Sequence, residues 1–256
     1  MLISGSKVIR LALWVAFVAV LARVAPASAD EFRLIELDGA YLKWGETDFG
    51  APATVTYSFV SARVTFPRAR NCSVLAPIEG LARSSGLPVS ALKREFAAAA
   101  REWEKVANIR FRYVSDPAEA QILVGSQGIP RGRAFANVRY RAQSVDNALS
   151  MVSGPDADEY KAYNLRELPI RSLDQALICL DATSAWKIGF DGNLDRYDLR
   201  YTFMHEVGHA IGLNHPSPSG SAMSFRYEEL SRNLGPGDIA GARLLYGPVD
   251  GEDRHP

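Results

Sequence analysis

Two periods alternate in the pattern of apolar and polar positions along the chain. Residues 53–60 (ATVTYSFV) and 109–114 (IRFRYV) place apolar side chains at every second position, which predicts half-buried strands. Residues 90–108 place them three and four positions apart, which predicts an amphipathic helix. The first half of the chain therefore combines strands with a helix that has one apolar face.

The second half repeats both patterns around a long polar segment. Three further stretches predict strands: residues 120–125, 133–140 and 176–181. Helices are predicted over 199–212 and from Pro236 to a stop at Gly247, while the polar residues 141–176 predict an irregular excursion. This order of elements indicates an α+β fold in which helices pack on a sheet.

The amino-terminal segment has the pattern of a secretory signal peptide. Two basic residues precede an apolar run at 11–21 (LALWVAFVAVL), and Ala27 and Ala29 supply the small residues of a cleavage site. The alternative is a membrane anchor, but the run is shorter than the ~20 apolar residues that a membrane span needs. We therefore expect residues 1–29 to be removed and the protein to be secreted or periplasmic, without membrane association after cleavage.

The remaining chain has the length of one domain. We expect a single domain over residues 30–248, followed by a polar tail at 249–256. The full sequence has 29 basic and 29 acidic residues, and loss of the first 29 residues removes three bases and no acid. This balance gives no reason to expect a nucleic-acid or anionic-membrane partner.

The sequence contains two cysteines, Cys72 and Cys179. An exported protein meets an oxidising compartment, where a disulfide between them is one expectation. Two separate buried thiols and a metal-binding role are the alternatives. Sequence alone leaves these open, because it does not show whether the two sulfurs meet.

Three of the four histidines lie within the stretch HEVGHAIGLNH. On a helix His205 and His209 are four residues apart and present their rings to one point, as two zinc ligands require. Glu206 is placed to take a proton from a zinc-bound water. Gly212 can end the helix and turn the chain, so that His215 returns as the third ligand.

The alternative is a helix that carries histidines by chance. With four histidines in the whole chain, this spacing together with the glycine and the third histidine has a very small chance of arising by accident. The fourth histidine, His255, falls in the polar tail. The sequence therefore predicts one catalytic zinc ion.

The stretch HEVGHAIGLNH resembles the His-Glu-x-x-His-x-x-Gly-x-x-His motif of the metzincin zinc endopeptidases, and Met223 in SGSAMSF fits their methionine turn. The third histidine is followed directly by Pro216, and Met223 is followed directly by Ser224. This combination is similar to the serralysin branch. The tail LGPGDIAGARLLYG is similar to the last helix of matrixins and serralysins, and three upstream stretches are similar to a matrixin catalytic domain: residues 41–59, 99–125 and 178–186. The chain thus resembles a compact, bacterial-type matrixin-like protease.

This resemblance implies a metzincin catalytic domain, with a twisted, mostly parallel five-stranded sheet, an antiparallel edge strand, a long active-site helix and a carboxy-terminal helix. It also implies a monomeric, secreted zinc endopeptidase in which Glu206 is the general base and a protein or peptide substrate binds the edge strand. Residues 133–140 are the candidate for that strand or the loop before it. A non-catalytic zinc-stabilised binding or inhibitory domain and a zinc amidase acting on cell-wall peptides are the alternative functions.

The resemblance also raises calcium as a second ion, since calcium stabilises many members of the family. Asp191, Asn193 and Asp195 alternate along DGNLD and carry the oxygen ligands that calcium prefers. The stretch fails the EF-hand pattern, and a solvated polar loop that caps a helix is the alternative. Matrixin zymogens also carry a cysteine in a propeptide, and this cysteine caps the zinc. Cys72 lies after the first strand of the domain, and this position argues against such a role for Cys72.

Overall fold

The computed structural model describes residues 32–127, 132–140, 165–216, 220–230 and 232–250. The expected signal peptide, most of the polar tail and residues 141–164 of the expected excursion lie outside these residues. Within the described ranges, no helix has both the length and the hydropathy required to cross a membrane.

Strands and helices alternate through the described chain. The strands are β1 Arg33–Leu34, β2 Glu36–Leu37, β3 Ala40–Lys43, β4 Ala53–Phe59, β5 Val64–Thr65, β6 Val74–Leu75, β7 Ile109–Tyr113, β8 Ile122–Gln127, β9 Ala134–Tyr140, β10 Ile170–Asp181, β11 Trp186–Lys187, β12 Tyr197–Asp198 and β13 Leu213–Asn214. The helices are α1 Glu79–Ser85, α2 Val89–Val106, α3 Leu199–Ala210 and α4 Pro236–Tyr246, and a 3-10 turn lies at Pro117–Glu119.

Five strands form the main sheet, in the order β7-β4-β8-β10-β9. The first four pair in parallel, and β9 pairs antiparallel with β10 at the edge. The short strands β2 and β3 extend this sheet where β3 pairs with the start of β10. The expected α+β fold, with a mostly parallel five-stranded sheet and an antiparallel edge strand, is confirmed.

Strand β10 is longer than its sequence pattern predicts. Residues 170–175 (IRSLDQ) were assigned to the irregular excursion, and this part of the prediction is wrong because they continue the strand. Their polar side chains hide the strand pattern, whereas the backbone pairs with β3 and with β9. Pairing with distant strands decides the local structure here, as is common for weakly patterned strands.

Helices α2 and α3 pack together and bury the main core against the sheet. The rings of Phe96 in α2 and Phe203 in α3 meet edge to face, with their centroids 5.2 Å apart. The indole nitrogen of the fully buried Trp103 donates a hydrogen bond to the Met204 backbone carbonyl (2.9 Å). Removal of a buried aromatic side chain typically costs about 3–5 kcal/mol, so these contacts hold α3 firmly behind the sheet.

A second, smaller apolar cluster lies on the opposite face of the sheet, beneath the β5–β6 hairpin. In β10, Leu177 and Cys179 point to this cluster while Ile178 points to the main core, as alternation along a strand requires. Cys179 forms a disulfide with Cys72, which lies in the hairpin loop. The sequence pattern had identified neither the hairpin nor α1, because both are short and their apolar residues have no long-range period.

Candidate metal centre

Helix α3, which carries the motif, begins at a buried acidic cap. The Asp198 carboxylate accepts a hydrogen bond from the Tyr201 backbone N–H (2.8 Å), which satisfies one of the free donors of the first turn. Asp198 is fully buried, and Arg232 forms an ion pair with it (3.0 Å). The start of the helix is thereby fixed about two turns before the first histidine.

The structure brings the three motif histidines together. His205 and His209 lie on one face of α3, and His215 approaches them from the chain that follows the helix. The three Nε2 atoms form a nearly equilateral triangle, with separations of 3.1, 3.1 and 3.0 Å. Among the described residues, this is the one group of three or more His, Cys, Asp or Glu side chains placed to hold a metal ion.

Gly212 makes the approach of His215 possible. Its φ is +109°, and a Cβ atom at this position would lie 2.2 Å from the Leu42 backbone oxygen. The Ile35 N–H donates to the Gly212 carbonyl (2.7 Å), and β13 then pairs with β1. Only glycine combines this conformation with such close backbone contact, so Gly212 ends the helix and turns the chain as the motif predicts.

Backbone carbonyls orient two of the three imidazole rings. The Nδ1 atom of His205 lies 2.7 Å from the Ala222 oxygen, and that of His209 lies 2.8 Å from the Leu213 oxygen. With Nδ1 protonated and donating, Nε2 keeps its lone pair for a metal. Burial lowers the pKa of His205 to about 4 and that of His209 well below its usual value, so both rings are neutral at pH 7.

This donor set fits zinc. Three neutral nitrogens that direct their lone pairs at one point repel each other unless a cation lies between them. A tetrahedral zinc ion with bonds of about 2.0–2.1 Å separates its ligands by roughly 3.3 Å, close to the spacing of the Nε2 atoms. The three histidines leave a fourth position open, as a catalytic rather than a structural zinc site does.

Glu206 lies next to this triangle in an apolar environment. Its side chain is buried, and burial raises its pKa to about 8, while a hydrogen bond from the Ala136 backbone acts in the opposite direction. Its Oε2 atom has no hydrogen-bond partner among the described residues. A carboxylate with one oxygen held by β9 and the other free is suited to accept a proton from a molecule in the cleft.

A tight turn around Met223 lies beneath the histidines. The buried Met223 side chain packs against Gly208 of α3. The Asp238 carboxylate, at the start of α4, accepts hydrogen bonds from the backbone N–H groups of Ala222 (2.8 Å) and Met223 (3.1 Å). Sequence reasoning had used Asp238 only as part of the resemblance, and its position in the first turn of a predicted helix was the available signal for a buried anchor.

The histidines and Glu206 open into a cleft of about 890 Å³ between β9 and the residues after the methionine turn. Phe225 is 63% exposed at its mouth, and its ring centroid lies 5.9 Å from that of His215. The opposite wall carries Arg68 and Arg70, which the sequence had not marked as site residues. The cleft therefore combines a candidate metal centre with the edge of β9, which pairs with no strand other than β10 in the described part of the chain.

The loop expected as a calcium candidate is organised around a lysine. The Lys187 ammonium forms ion pairs with Asp191 and with Glu229, and donates to the Asn193 backbone oxygen (2.8 Å). The Asn193 side chain instead accepts from the Asp195 N–H (3.0 Å). A protein cation thus pairs with Asp191, one of the three expected ligands, and calcium at this loop stays a prediction.

Comparison with known proteins agrees with this geometry. The family model described as "Peptidase_M10: Matrixin" matches residues 81–247, which is more than half of the chain. The chain is 38% identical over 150 residues to "Probable matrix metalloproteinase 095L" of Invertebrate iridescent virus 3, which covers 57% of this chain and 35% of the viral protein. It is 26% identical over 162 residues to "Metalloendoproteinase 1-MMP" of Arabidopsis thaliana, which covers 61% of this chain and 38% of the plant protein. It thus spans little more than a third of the length of these relatives, and it belongs to the matrixin family.

Proposed function

We propose that this protein is a zinc-dependent endopeptidase that hydrolyses peptide bonds in the cleft beside β9. The observation that carries the proposal is the convergence of three neutral Nε2 atoms next to a buried glutamate with a free carboxylate oxygen. Membership of the matrixin family supports zinc and a peptide substrate. His205, His209 and His215 would hold the metal.

Glu206 acts as general base and then as general acid. Zinc, when bound, polarises the scissile carbonyl and lowers the pKa of water in the site. The free Oε2 of Glu206 accepts the proton of the attacking water, and the carboxyl group then delivers that proton to the leaving amine. The charge of bound zinc would stabilise the carboxylate form of Glu206 for the first step, whereas burial, which raises the pKa of this group, favours return of the proton in the second.

Strand β9 supplies the docking edge for substrate. One side of β9 pairs with β10, and residues Ala134–Val138 line the cleft. An extended peptide can add to this free edge through backbone hydrogen bonds, which hold the scissile bond in place without requiring a particular side chain. Hydrolysis within a chain, rather than only at its ends, follows from an open cleft.

We further propose that residues 1–29 direct export and that the domain functions in an oxidising compartment. The disulfide between Cys72 and Cys179 supports this location, since such bonds persist outside the reducing cytosol. Mass spectrometry of protein secreted by a host cell measures the mature amino terminus. A mature chain that begins at Met1 would contradict the proposal.

The activity is tested with purified protein that begins at Asp30 and an unfolded protein substrate. Cleavage should stop with a zinc chelator, return with added zinc, and fall by about 10²- to 10⁴-fold in Glu206→Gln. Glu79→Gln is the matched control, because Glu79 is exposed at the start of α1, away from the cleft. Cleavage that survives both zinc removal and Glu206→Gln would contradict the proposal.

Two further outcomes identify the alternative functions. Tight zinc binding without turnover of any peptide would indicate a non-catalytic binding domain. Hydrolysis of cell-wall peptides, with none of ordinary polypeptides, would indicate a zinc amidase. A library of random peptides separates these outcomes in one experiment.

A further inference from the structure

We propose that Arg68 and Arg70 select substrates with acidic side chains close to the scissile bond. The inference rests on the proposed endopeptidase function and names the substrate class of the same cleft. It follows from the position, the fixation and the charge of the loop that joins β5 to β6, residues 66–73, here called the arginine loop.

The arginine loop is held rigidly although its tip is exposed. The Phe66 N–H donates to the Ser73 oxygen (2.7 Å), which closes the loop, and the Ala69 N–H donates to the Phe66 oxygen (2.9 Å). Cys72 ties it through the disulfide to β10, the strand next to β9. A loop fixed in this way can present charges to a ligand with a small entropic cost.

The arginine loop runs along β9. Arg68 lines a groove together with residues 137–139 of that strand, Cys72 lies beside the Phe135 carbonyl (3.3 Å), and both Arg68 and Arg70 line the metal cleft. Ala136, whose backbone hydrogen-bonds to Glu206, lies beside the reaction centre. Arg68 therefore lies on the carboxy-terminal side of that point along β9.

The direction of β9 determines which part of a paired peptide lies beside Arg68. A peptide that adds antiparallel to β9 runs against it, so residues that precede the scissile bond lie beside the carboxy-terminal half of β9. Arg68 thus faces the amino-terminal side of the substrate. Arg133 lies at the other end of β9, but its guanidinium donates to the Ser184 hydroxyl (3.1 Å) and stacks over Tyr197.

The charged side chains that line the cleft are mostly basic. Among the described residues that line the cleft, Glu206 is the sole acid, and it takes part in the proposed reaction. Arg68 and Arg70 form no ion pair or hydrogen bond in the described part of the chain. Arg139, also on β9, is by contrast paired with Asp174 (2.9 Å). The guanidinium groups of the arginine loop are therefore available to carboxylates of a substrate.

The expected preference is moderate because both arginines are exposed. Exposed ion pairs are worth about 0.2–1 kcal/mol, which corresponds to roughly 1.4-fold to fivefold for each arginine. A peptide with two glutamates close to the scissile bond should therefore have a kcat/KM about twofold to 30-fold above that of its glutamine analogue. Added salt at about 0.5 M should remove most of this difference.

The test compares these two peptides on the zinc-loaded protein and on three variants. Arg68→Gln combined with Arg70→Gln should abolish the preference, so that the ratio of kcat/KM for the two peptides approaches one. Arg112→Gln, on the opposite edge strand β7, is the matched control and should keep the preference. Arg68→Glu combined with Arg70→Glu should reverse it, so that a lysine peptide becomes the better substrate.

The outcomes separate this inference from the proposed function. If both peptides are cleaved equally by the unaltered protein, or if the preference survives Arg68→Gln with Arg70→Gln, the inference is wrong while the endopeptidase function stands. Binding of both peptides to Glu206→Gln supplies a readout that needs no turnover. Absence of all cleavage would overturn the proposed function, and equal binding of the two peptides would overturn the inference independently.

Discussion

Replacement of Gly208 by alanine sets two physical effects against each other at the centre of the metal site. Alanine favours a helix by about 0.5–1 kcal/mol over glycine, because glycine loses more backbone entropy on folding. A Cβ atom at position 208, however, would lie 2.1 Å from the Met223 sulfur and 2.8 Å from Cζ2 of Trp103. Both neighbours are buried, and the Trp103 indole is fixed by its hydrogen bond to Met204.

The steric effect should be the larger one. Overpacking of a well-packed core costs about 1–3 kcal/mol, and a contact this short requires movement of the methionine turn or of α3. We expect Gly208→Ala to be destabilised by about 1–2 kcal/mol after the helix gain is subtracted. Because the turn carbonyl at Ala222 orients His205, the same movement should weaken zinc binding.

Urea unfolding of the zinc-loaded protein and competitive zinc titration measure the two effects. Gly80→Ala in α1 is the matched control, because the nearest atom to its added Cβ is 4.0 Å away, and this variant should be stabilised. Combining Gly208→Ala with Met223→Ala should destabilise by less than the sum of the single changes. Stabilisation of Gly208→Ala equal to that of Gly80→Ala would refute the reasoning.

Three further predictions concern the metal, a buried lysine and the disulfide. Chelation of zinc should lower the unfolding free energy by about 4 kcal/mol when zinc had been present at 1,000 times its Kd, and an unchanged urea midpoint would argue against a zinc site. Burial lowers the pKa of Lys43 to about 8, below its usual 10.5. The unfolded chain therefore binds this proton more tightly than the folded protein does. The buried charge lowers the unfolding free energy by its full amount below pH 8 and by less as the pH rises. The protein should therefore gain about 2–3 kcal/mol relative to Lys43→Met between pH 7.5 and 10, and parallel urea midpoints for both proteins would contradict this. Replacing both Cys72 and Cys179 by alanine should lower the unfolding free energy by about 4–5 kcal/mol, because the bond closes a loop of 107 residues, and a loss below about 1 kcal/mol would show that the chain-entropy model fails here.

The metal site could be predicted in detail from one short stretch. Helical spacing decides that His205 and His209 share a face, and the glycine at 212 allows the turn that returns His215. These relations are local, since they depend on bonds and dihedral angles within eleven residues. The expected strands β4 and β7 were likewise indicated by local alternation of apolar positions.

Other features depended on contacts between distant parts of the chain. Residues 170–175 form a strand through pairing with β3 and β9, although their own pattern is polar. Asp238 supports the methionine turn across 15 residues, and Lys187 takes the centre of the loop that sequence had suggested for calcium. No periodicity within these segments encodes such partners.

The sequence by itself determined the candidate chemistry of this protein: two histidines on one face of a helix, a third after the turn, a glutamate beside the first and the family to which they belong. The tertiary structure decided what surrounds that chemistry. It joined Cys72 to Cys179, placed β9 at the free edge and brought Arg68 and Arg70 over the cleft. The physical reason is that ligand spacing is a property of neighbouring residues, whereas a cleft is formed by surfaces that meet only after the chain has folded.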